Sequence, residues 1–158
     1  DFRINNTYLG QIVNTSLYKA GKVLEFTTNL SYDNAIPFEM VFFFLRKNFH
    51  QILQSKDFSF TLFLPLLAIE LEEKGLPRSM SMIKMMIELK EETSIESPLG
   101  RKKARKIIVL PQSAFLRAFL PREKTHFEFI ISKEAPNHIL QFKTGKTMHI
   151  LTKFLIPK

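Results

Sequence analysis

The sequence predicts an α+β protein with a mostly antiparallel, strongly curved sheet or barrel and two main helices. Sixteen Phe and a hydrophobic fraction of 45% supply enough apolar surface for a core. Segments with a two-residue hydrophobic period alternate with segments whose apolar residues recur every three or four positions. Short breaks containing Gly or Pro separate these segments. We expect residues 1–158 to form a single domain.

The N-terminal third reads as two strands and a long helix. Val- and Phe-containing segments predict strands over 3–13 and 22–32, with a turn at Ala20-Gly21. Pro37 suits the first position of a helix, which we expect over 37–54. Its apolar residues form one helical stripe of Phe38, Val41, Phe42, Leu45, Phe49, Ile52 and Leu53. Phe43 and Phe44 lie outside the stripe, so we expect this helix to be covered on more than one side.

The central segment combines clear and ambiguous patterns. Strict alternation predicts a strand over 58–64. Residues 66–74 suit a short helix or a second strand, and we favour the helix. A break at 75–77 precedes a predicted strand over 80–89. The charged residues 90–100 predict a polar loop.

The C-terminal segment predicts a strand, a short helix and three closing strands. The β-branched run 106–110 ends at Pro111, which predicts a strand. Residues 113–120 predict the second main helix, with Ala114, Phe115, Ala118 and Phe119 facing inward. The closing strands are expected over 125–132, 138–143 and 147–156, with turns at 135–137 and 144–146.

A weak internal sequence similarity, called the internal echo below, is compatible with a duplicated strand–helix–strand unit. Phe44-Leu45-Arg46 and the strand starting near Asp57 recur as Phe115-Leu116-Arg117 and the strand starting near His126, at offsets of 71 and 69 residues. Phe and Leu are common in this chain, so a chance echo is the alternative.

Charge divides the chain at Gly100. Residues 1–100 hold ten Lys/Arg against twelve Asp/Glu, a near-neutral to acidic half with a formal charge of −2. Residues 101–158 hold thirteen against three, a strongly basic half with a charge of +10. An excess of this size is not needed for folding and attracts phosphate or anionic lipid.

The densest basic segment is the run 101–106, which holds five cations in six residues. Flexible cations repel one another unless an anion neutralises them, and a nucleic-acid backbone supplies closely spaced phosphates. We expect RNA, more than DNA, to be that anion; a solvated surface, a localisation signal and an anionic membrane are the alternatives. The candidate nucleic-acid contacts are Arg101, Lys102, Lys103, Arg105, Lys106, Arg117, Arg122 and Lys124.

Aromatic residues in the closing strands are a second group of candidate nucleic-acid contacts. Phenylalanine rings can stack on unpaired bases when their faces are exposed. The candidates are Phe127, Phe129, Phe142 and Phe154. Alternating strand phenylalanines are more often core residues, and we favour that interpretation.

The motifs of common catalytic and metal sites are missing from the sequence. There is no Cys, and no Ser lies in a Gly-x-Ser-x-Gly elbow. Gly145-Lys146-Thr147 lacks the preceding glycine of a phosphate-binding loop, so we expect a hairpin turn there. His126, His138 and His149 could meet across three strands, but isolated histidines are the favoured interpretation. We expect no enzyme activity, no catalytic residue, no cofactor and no metal.

Two segments resemble known families. Residues 106–121 followed by 125–129 are similar to the strand–Pro–short helix–strand unit of DNA-binding pseudobarrels, such as plant B3 domains and bacterial swapped-hairpin regulators. This resemblance implies DNA binding and covers about 25 residues; too few follow Phe129 for a complete B3 domain.

The second resemblance is to the decoding-centre protein of the small ribosomal subunit. It rests on the order and spacing of Lys74-Gly75-Leu76-Pro77, residues 97–105 and residues 118–123. The acidic segment 91–96 replaces the basic Pro-Asn-Ser loop of that family. The decoding residues are therefore absent, and we assign the chain to neither family.

These observations favour a non-catalytic RNA-binding protein, a structural component of a ribosome or another ribonucleoprotein. Its expected partners are RNA, ribosomal RNA included, and other proteins of a large assembly. The alternatives are a protein–protein assembly subunit that docks through its acidic half, and a DNA-binding pseudobarrel protein. The longest nearly apolar stretch, 58–69, is too short to cross a bilayer. Residue usage typical of an AT-rich genome, together with the lack of Cys, favours an intracellular location, such as a mitochondrion or another organelle.

Overall fold

A computed structural model describes residues 2–19, 21–30 and 35–152. Within these residues the chain has an antiparallel three-stranded sheet, a curled mixed sheet of half-barrel form and four α-helices. The prediction of an α+β fold with a curved, mostly antiparallel sheet is therefore confirmed. The chain forms two compact units, residues 1–41 with 60–83 (the first unit) and residues 42–59 with 84–158 (the second unit). That these form one domain stays a prediction.

The first unit begins with a three-stranded meander. Its strands are β1 (Phe2–Leu9), β2 (Ile12–Lys19) and β3 (Lys22–Asn29), each antiparallel to the next. The predicted single strand over 3–13 is wrong, because the chain reverses at Gly10, whose φ of +63° is readily adopted only without a side chain. The second predicted strand is confirmed over β3, and its last residues, 31 and 32, lie outside the described residues.

A small apolar core joins the meander to the central segment of the first unit. Two-residue β4 (Ile36–Pro37) pairs in parallel with β5 (Ser59–Phe63), and α2 (Pro65–Glu73) follows with Pro65 at its first turn. Both β5 and the favoured helix over 66–74 are confirmed. The buried cluster consists of Val13, Phe26, Leu30, Phe63, Ala68 and Ile69.

The second unit is a long helix and five antiparallel strands. A 3₁₀ turn over Phe38–Met40 precedes α1 (Val41–Gln54), so the predicted helix is confirmed with a later α-helical start. The strand order is β10-β9-β8-β7-β6. The strands are β6 (Met82–Ser97), β7 (Gly100–Pro111), β8 (Phe127–Ser132), β9 (Ile139–Thr144) and β10 (Thr147–Ile150). The closing strands are confirmed, except that β10 ends earlier than predicted; residues 153–156 lie outside the described residues.

The predicted stripe of α1 forms the core of the second unit. Leu45, Phe49 and Ile52 are fully buried. The ring of Phe42 meets Phe129 and Phe142 edge-on, with centroids 5.6 and 5.0 Å apart. Such edge-to-face pairs add to the free energy gained from burial.

The prediction that α1 is covered on more than one side is confirmed only in part. Phe44 packs against Phe58, with ring centroids 6.1 Å apart, but Phe43 is exposed. The stripe therefore identifies the buried face, and Phe43 lies on the solvent side of α1.

Two sequence predictions in this unit are wrong. Residues 90–100 do not form a loop, because β6 continues to Ser97 and only Pro98-Leu99 separate it from β7. The helix over 113–120 exists as α3 (Ala114–Phe119), followed by α4 (Arg122–Thr125), but its Ala114, Phe115, Ala118 and Phe119 are exposed rather than inward.

The two halves of the internal echo differ in strand pairing. The strands that flank α1 in sequence, β4 and β5, pair in parallel, whereas β7 and β8, which flank α3 and α4, pair antiparallel. The duplication stays a prediction.

Replacing Phe49 with Ala tests the core of the second unit. Phe49 is 1% exposed, so Phe49→Ala leaves a cavity and we expect a loss of about 3–5 kcal/mol in the free energy of unfolding. Phe43→Ala, on the solvent side of the same helix, should cost less than about 1 kcal/mol. Chemical denaturation of both variants is the measurement; equal losses would contradict the assignment of the helix faces.

Candidate nucleic-acid interface

The charge asymmetry of the sequence coincides with the two compact units. The first unit holds five Lys/Arg against seven Asp/Glu, a formal charge of −2. The second holds eighteen against eight, a charge of +10. If every carboxylate of the second unit were paired with one cation, ten cations would still lack a carboxylate of that unit. This excess produces a positive field around the second unit.

The basic run 101–106 lies on a strand, and an acidic strand faces it. In the β6–β7 hairpin Glu96 is opposite Arg101, Ser94 is opposite Lys103 and Glu92 is opposite Arg105. Opposite charges at directly facing positions stabilise antiparallel strands. The acidic segment and the basic run therefore pair with each other instead of forming a solvated loop.

Four of the five cations in the run form ion pairs within the chain. The Arg105 guanidinium lies 2.7 Å from Glu92 and also donates to the backbone carbonyl of Lys90 at 2.6 Å. The other three pairs are Arg101 with Glu96 at 3.8 Å, Lys102 with Glu134 at 2.6 Å and Lys106 with Glu128 at 3.2 Å. The expectation that these cations need an external anion is thus corrected, because the chain supplies carboxylates to most of them.

The cations of the run differ in how accessible they are. The side chains of Arg101 and Glu96 are 75% and 77% exposed, whereas those of Lys102 and Arg105 are 25% exposed. Lys103 is exposed, and its ammonium makes no hydrogen bond or ion pair with any described residue. Arg101 and Lys103 are therefore the members of the run best placed to meet a ligand.

Glu92 is the centre of this charge network. Lys133 lies 2.7 Å from the same carboxylate oxygen that Arg105 contacts. The hydrogen bond and charge of Lys133, followed by the charge of Arg105, hold the pKa of Glu92 below its ordinary value. Through Glu92 the loop after β8 is tied to the hairpin.

The remaining three candidates lie on α3 and α4. Arg117 is half-buried and its guanidinium donates to the Pro111 carbonyl at 3.4 Å, while Arg122 and Lys124 are exposed. Burial, then the charges of Arg122 and Arg117, lowers the pKa of His126. Both guanidinium groups therefore add positive charge near His126.

A second histidine lies in the field of two other cations. Burial, then the charges of Arg46 and Lys102, lowers the pKa of His138. Lys102 is in the basic run and Arg46 is on α1, so the positive field involves a residue that the sequence analysis did not select.

The sequence identifies Lys146 as a cation of the closing strands, but its approach to α4 is not predicted. The Thr144 hydroxyl donates to the Glu123 carbonyl at 2.8 Å, which joins the β9–β10 turn to α4. A Cβ at Gly145 would lie 2.6 Å from the Cβ of Glu123, so the approach requires glycine there. Lys146, the next residue, is exposed and lies beside α4. No sequence signal marks this proximity, since 21 residues separate Glu123 from Thr144.

The predicted stacking residues are unsuitable. Phe127, Phe129 and Phe142 are buried, so the favoured core interpretation is confirmed and base stacking on these rings is wrong. Phe154 lies outside the described residues.

The histidines do not assemble into a metal centre in the part of the chain that the structure describes. No three His, Asp or Glu residues of that part are arranged to hold a metal ion. His149 instead stacks on Phe142, with ring centroids 5.7 Å apart and planes 17° apart. Among the described helices, none is long and apolar enough to span a membrane.

Comparison with protein-family models, curated proteins and solved structures finds no match to this chain.

A titration of Glu92 tests the charge network. Because the folded pKa is depressed, this carboxylate contributes stability that is present above its ordinary pKa of 4.5 and is lost as the pH falls through the folded value. Lys133→Gln should raise the Glu92 pKa more than Arg105→Gln does, as followed by carboxyl chemical shifts in NMR. Lys103→Gln is the matched control and should leave the Glu92 pKa nearly unchanged. A parent Glu92 that titrates at its ordinary value would contradict the network.

Proposed function

We propose that this chain is a non-catalytic RNA-binding protein that contacts phosphates through its second unit. The observation that carries the proposal is the excess of ten cations in that unit, which the internal ion pairs do not remove. RNA phosphates compensate such an excess, and binding is driven by the release of condensed counterions. The proposed contacts are Arg101, Lys102, Lys103, Arg105, Lys106, Arg117, Arg122 and Lys124, joined by Lys146.

The ion pairs of the hairpin are compatible with phosphate binding because exposed pairs are weak. An ion pair in water contributes about 0–1 kcal/mol, so exchanging a carboxylate for a phosphate costs little. Arg101, whose pair with Glu96 is 3.8 Å long and exposed, exchanges readily. The ion pairs of Lys102 and Arg105 are shorter, and the two side chains are less exposed. They therefore contribute less to RNA affinity and more to the stability of the hairpin.

The proposed setting is a ribonucleoprotein, with an organellar ribosome as the favoured case. This setting rests on residue usage and on charge, and the expected partners are ribosomal RNA and neighbouring proteins. We also propose an intracellular, organellar location for the protein. The origin of its fold in a duplicated strand–helix–strand unit is part of the proposal too. DNA binding remains an alternative, since phosphate contacts position a protein without reading sequence.

A second candidate function is supported by the first unit. Its three-stranded sheet exposes two apolar cross-strand pairs, Leu9 with Ile12 and Tyr18 with Val23. Exposed apolar side chains on a slightly acidic unit suit a protein partner. An apolar interface of this kind would respond weakly to salt, whereas RNA binding weakens steeply.

A triple charge variant tests where RNA is bound. Replacing Lys102, Lys103 and Arg105 with Gln should weaken binding to unrelated RNAs about equally and flatten the dependence of log Kd on log salt by up to about two units, the value for three full phosphate contacts. Fluorescence anisotropy at several salt concentrations measures both effects.

The matched control removes the same charge from elsewhere in the second unit. Lys47, Lys56 and Lys84 are exposed and have no side-chain partner among the described residues. Their triple Gln variant should bind RNA with nearly the parent slope. Equal losses in the two triple variants would show that net charge, and not the basic run, governs binding.

The pKa values of His126 and His138 provide a second test of RNA binding. A bound polyanion offsets the charges of Arg122 and Arg117 near His126 and of Arg46 and Lys102 near His138, so both pKa values should rise when RNA is added. NMR titration of the imidazole protons with and without RNA measures the rise. Unchanged values for His126 and His138 in an RNA-saturated sample would contradict contact at these places.

A further inference from the structure

The two most exposed large apolar side chains of the described residues form a pair on α3. Phe115 and Phe119 are 65% and 70% exposed. They are four residues apart on the helix, and their ring centroids are 4.2 Å apart with planes 33° apart. The two rings thus contact each other in a tilted arrangement, and most of each side chain is open to solvent.

This pair is not needed to attach the helix. The half-buried residues of this segment are Leu116 and Arg117 of α3 and Leu120, which follows the helix, and Arg117 donates to the Pro111 carbonyl at the end of β7. The Ser113 side chain accepts from the Leu116 amide and begins the helix. The phenylalanines take no part in these attachments.

Cations surround the end of the helix that carries the pair. Arg122 and Lys124 follow Phe119 within five residues, and the β9–β10 turn brings Lys146 beside α4. Burial lowers the pKa of His126 most, and the charges of Arg122 and Arg117 lower it further. One carboxylate, Glu123, lies in the same segment.

An uncharged apolar partner would have to desolvate Arg122 and Lys146 without offering them an opposite charge, which is unfavourable. A single-stranded nucleic acid offers both complements, namely phosphates for the cations and aromatic base faces for the rings. In a duplex the base faces are covered by their neighbours, so a duplex offers only the phosphates.

We propose that Phe115 and Phe119 form a stacking platform for unpaired bases, with the adjacent phosphates held by Arg122, Lys124 and Lys146. This inference rests on the proposed RNA binding and specifies its substrate class as single-stranded RNA. Stacking accepts any base, so the platform confers preference for unpaired over paired strands rather than for a sequence.

The test is the double variant Phe115→Leu with Phe119→Leu. Leucine keeps an apolar side chain and a high helix propensity but has no ring face. The probes are a labelled twelve-residue oligouridylate and an RNA hairpin with a stem of similar length, at one salt concentration. We expect the affinity for the oligouridylate to fall about tenfold or more and the affinity for the hairpin stem to change less than about twofold.

Two controls make the result specific. Phe43→Leu changes another exposed phenylalanine of the second unit and should leave both affinities unchanged. The salt slope of the double variant should equal that of the parent, since no charge is removed. Thermal unfolding of each variant checks that the fold is retained.

The outcomes separate the inference from the proposal on which it rests. If the parent binds the oligouridylate and the double variant binds it equally well, the platform is refuted and RNA binding stands. If the parent binds neither probe at low salt, the proposed function itself fails. Self-association of the parent that disappears in the double variant, with RNA affinity unchanged, would assign the pair to a second copy of this chain and refute the platform.

Discussion

The second unit contains eighteen cations and only eight carboxylates, and this excess of positive charge determines the electrostatic character of its surface. The carboxylates are placed where cations are densest. Glu92 and Glu96 lie opposite the basic run across the β6–β7 hairpin, and Glu134 and Glu128 pair with Lys102 and Lys106. Local repulsion is relieved by these pairs, but the net excess persists because a pair consumes one charge of each sign. The folded unit thus keeps its positive field while its most crowded cations are held in place.

Much of the fold follows from hydrophobic periodicity. The stripe that contains Leu45 and Phe49 predicts α1 and its buried face, and strict alternation predicts β5. The strands over 80–89 and 106–110 are predicted, but the outer part of the hairpin, residues 90–105, is missed because charged residues are also typical of loops. Its outer strands are stabilised by cross-strand charge pairs, whose pattern becomes visible only when the register is known. The turn at Gly10 is missed because a lone glycine inside a strand pattern also fits a bulge.

The candidate site is predicted only in part. The sequence identifies the basic run and the cations of α3 and α4, since charge density is a local property. It does not predict that Lys146 lies near α4, because that proximity depends on the contact between Thr144 and Glu123. The inward assignment of Phe115 and Phe119 fails because apolar residues occur all round the six-residue α3 and directly after it, and only the structure shows that Leu116 and Leu120 are half-buried while the two phenylalanines are exposed.

The central claim is that the excess charge of the second unit binds RNA phosphates. The salt dependence of parent binding to an oligouridylate tests it most directly, because counterion release gives a slope of about −0.7 for each phosphate contacted on a single strand. With the nine proposed contacts as the upper limit, the account predicts a clearly negative slope of up to about −6 on a plot of log association constant against log salt. A slope near zero, or no binding at low salt, would contradict it.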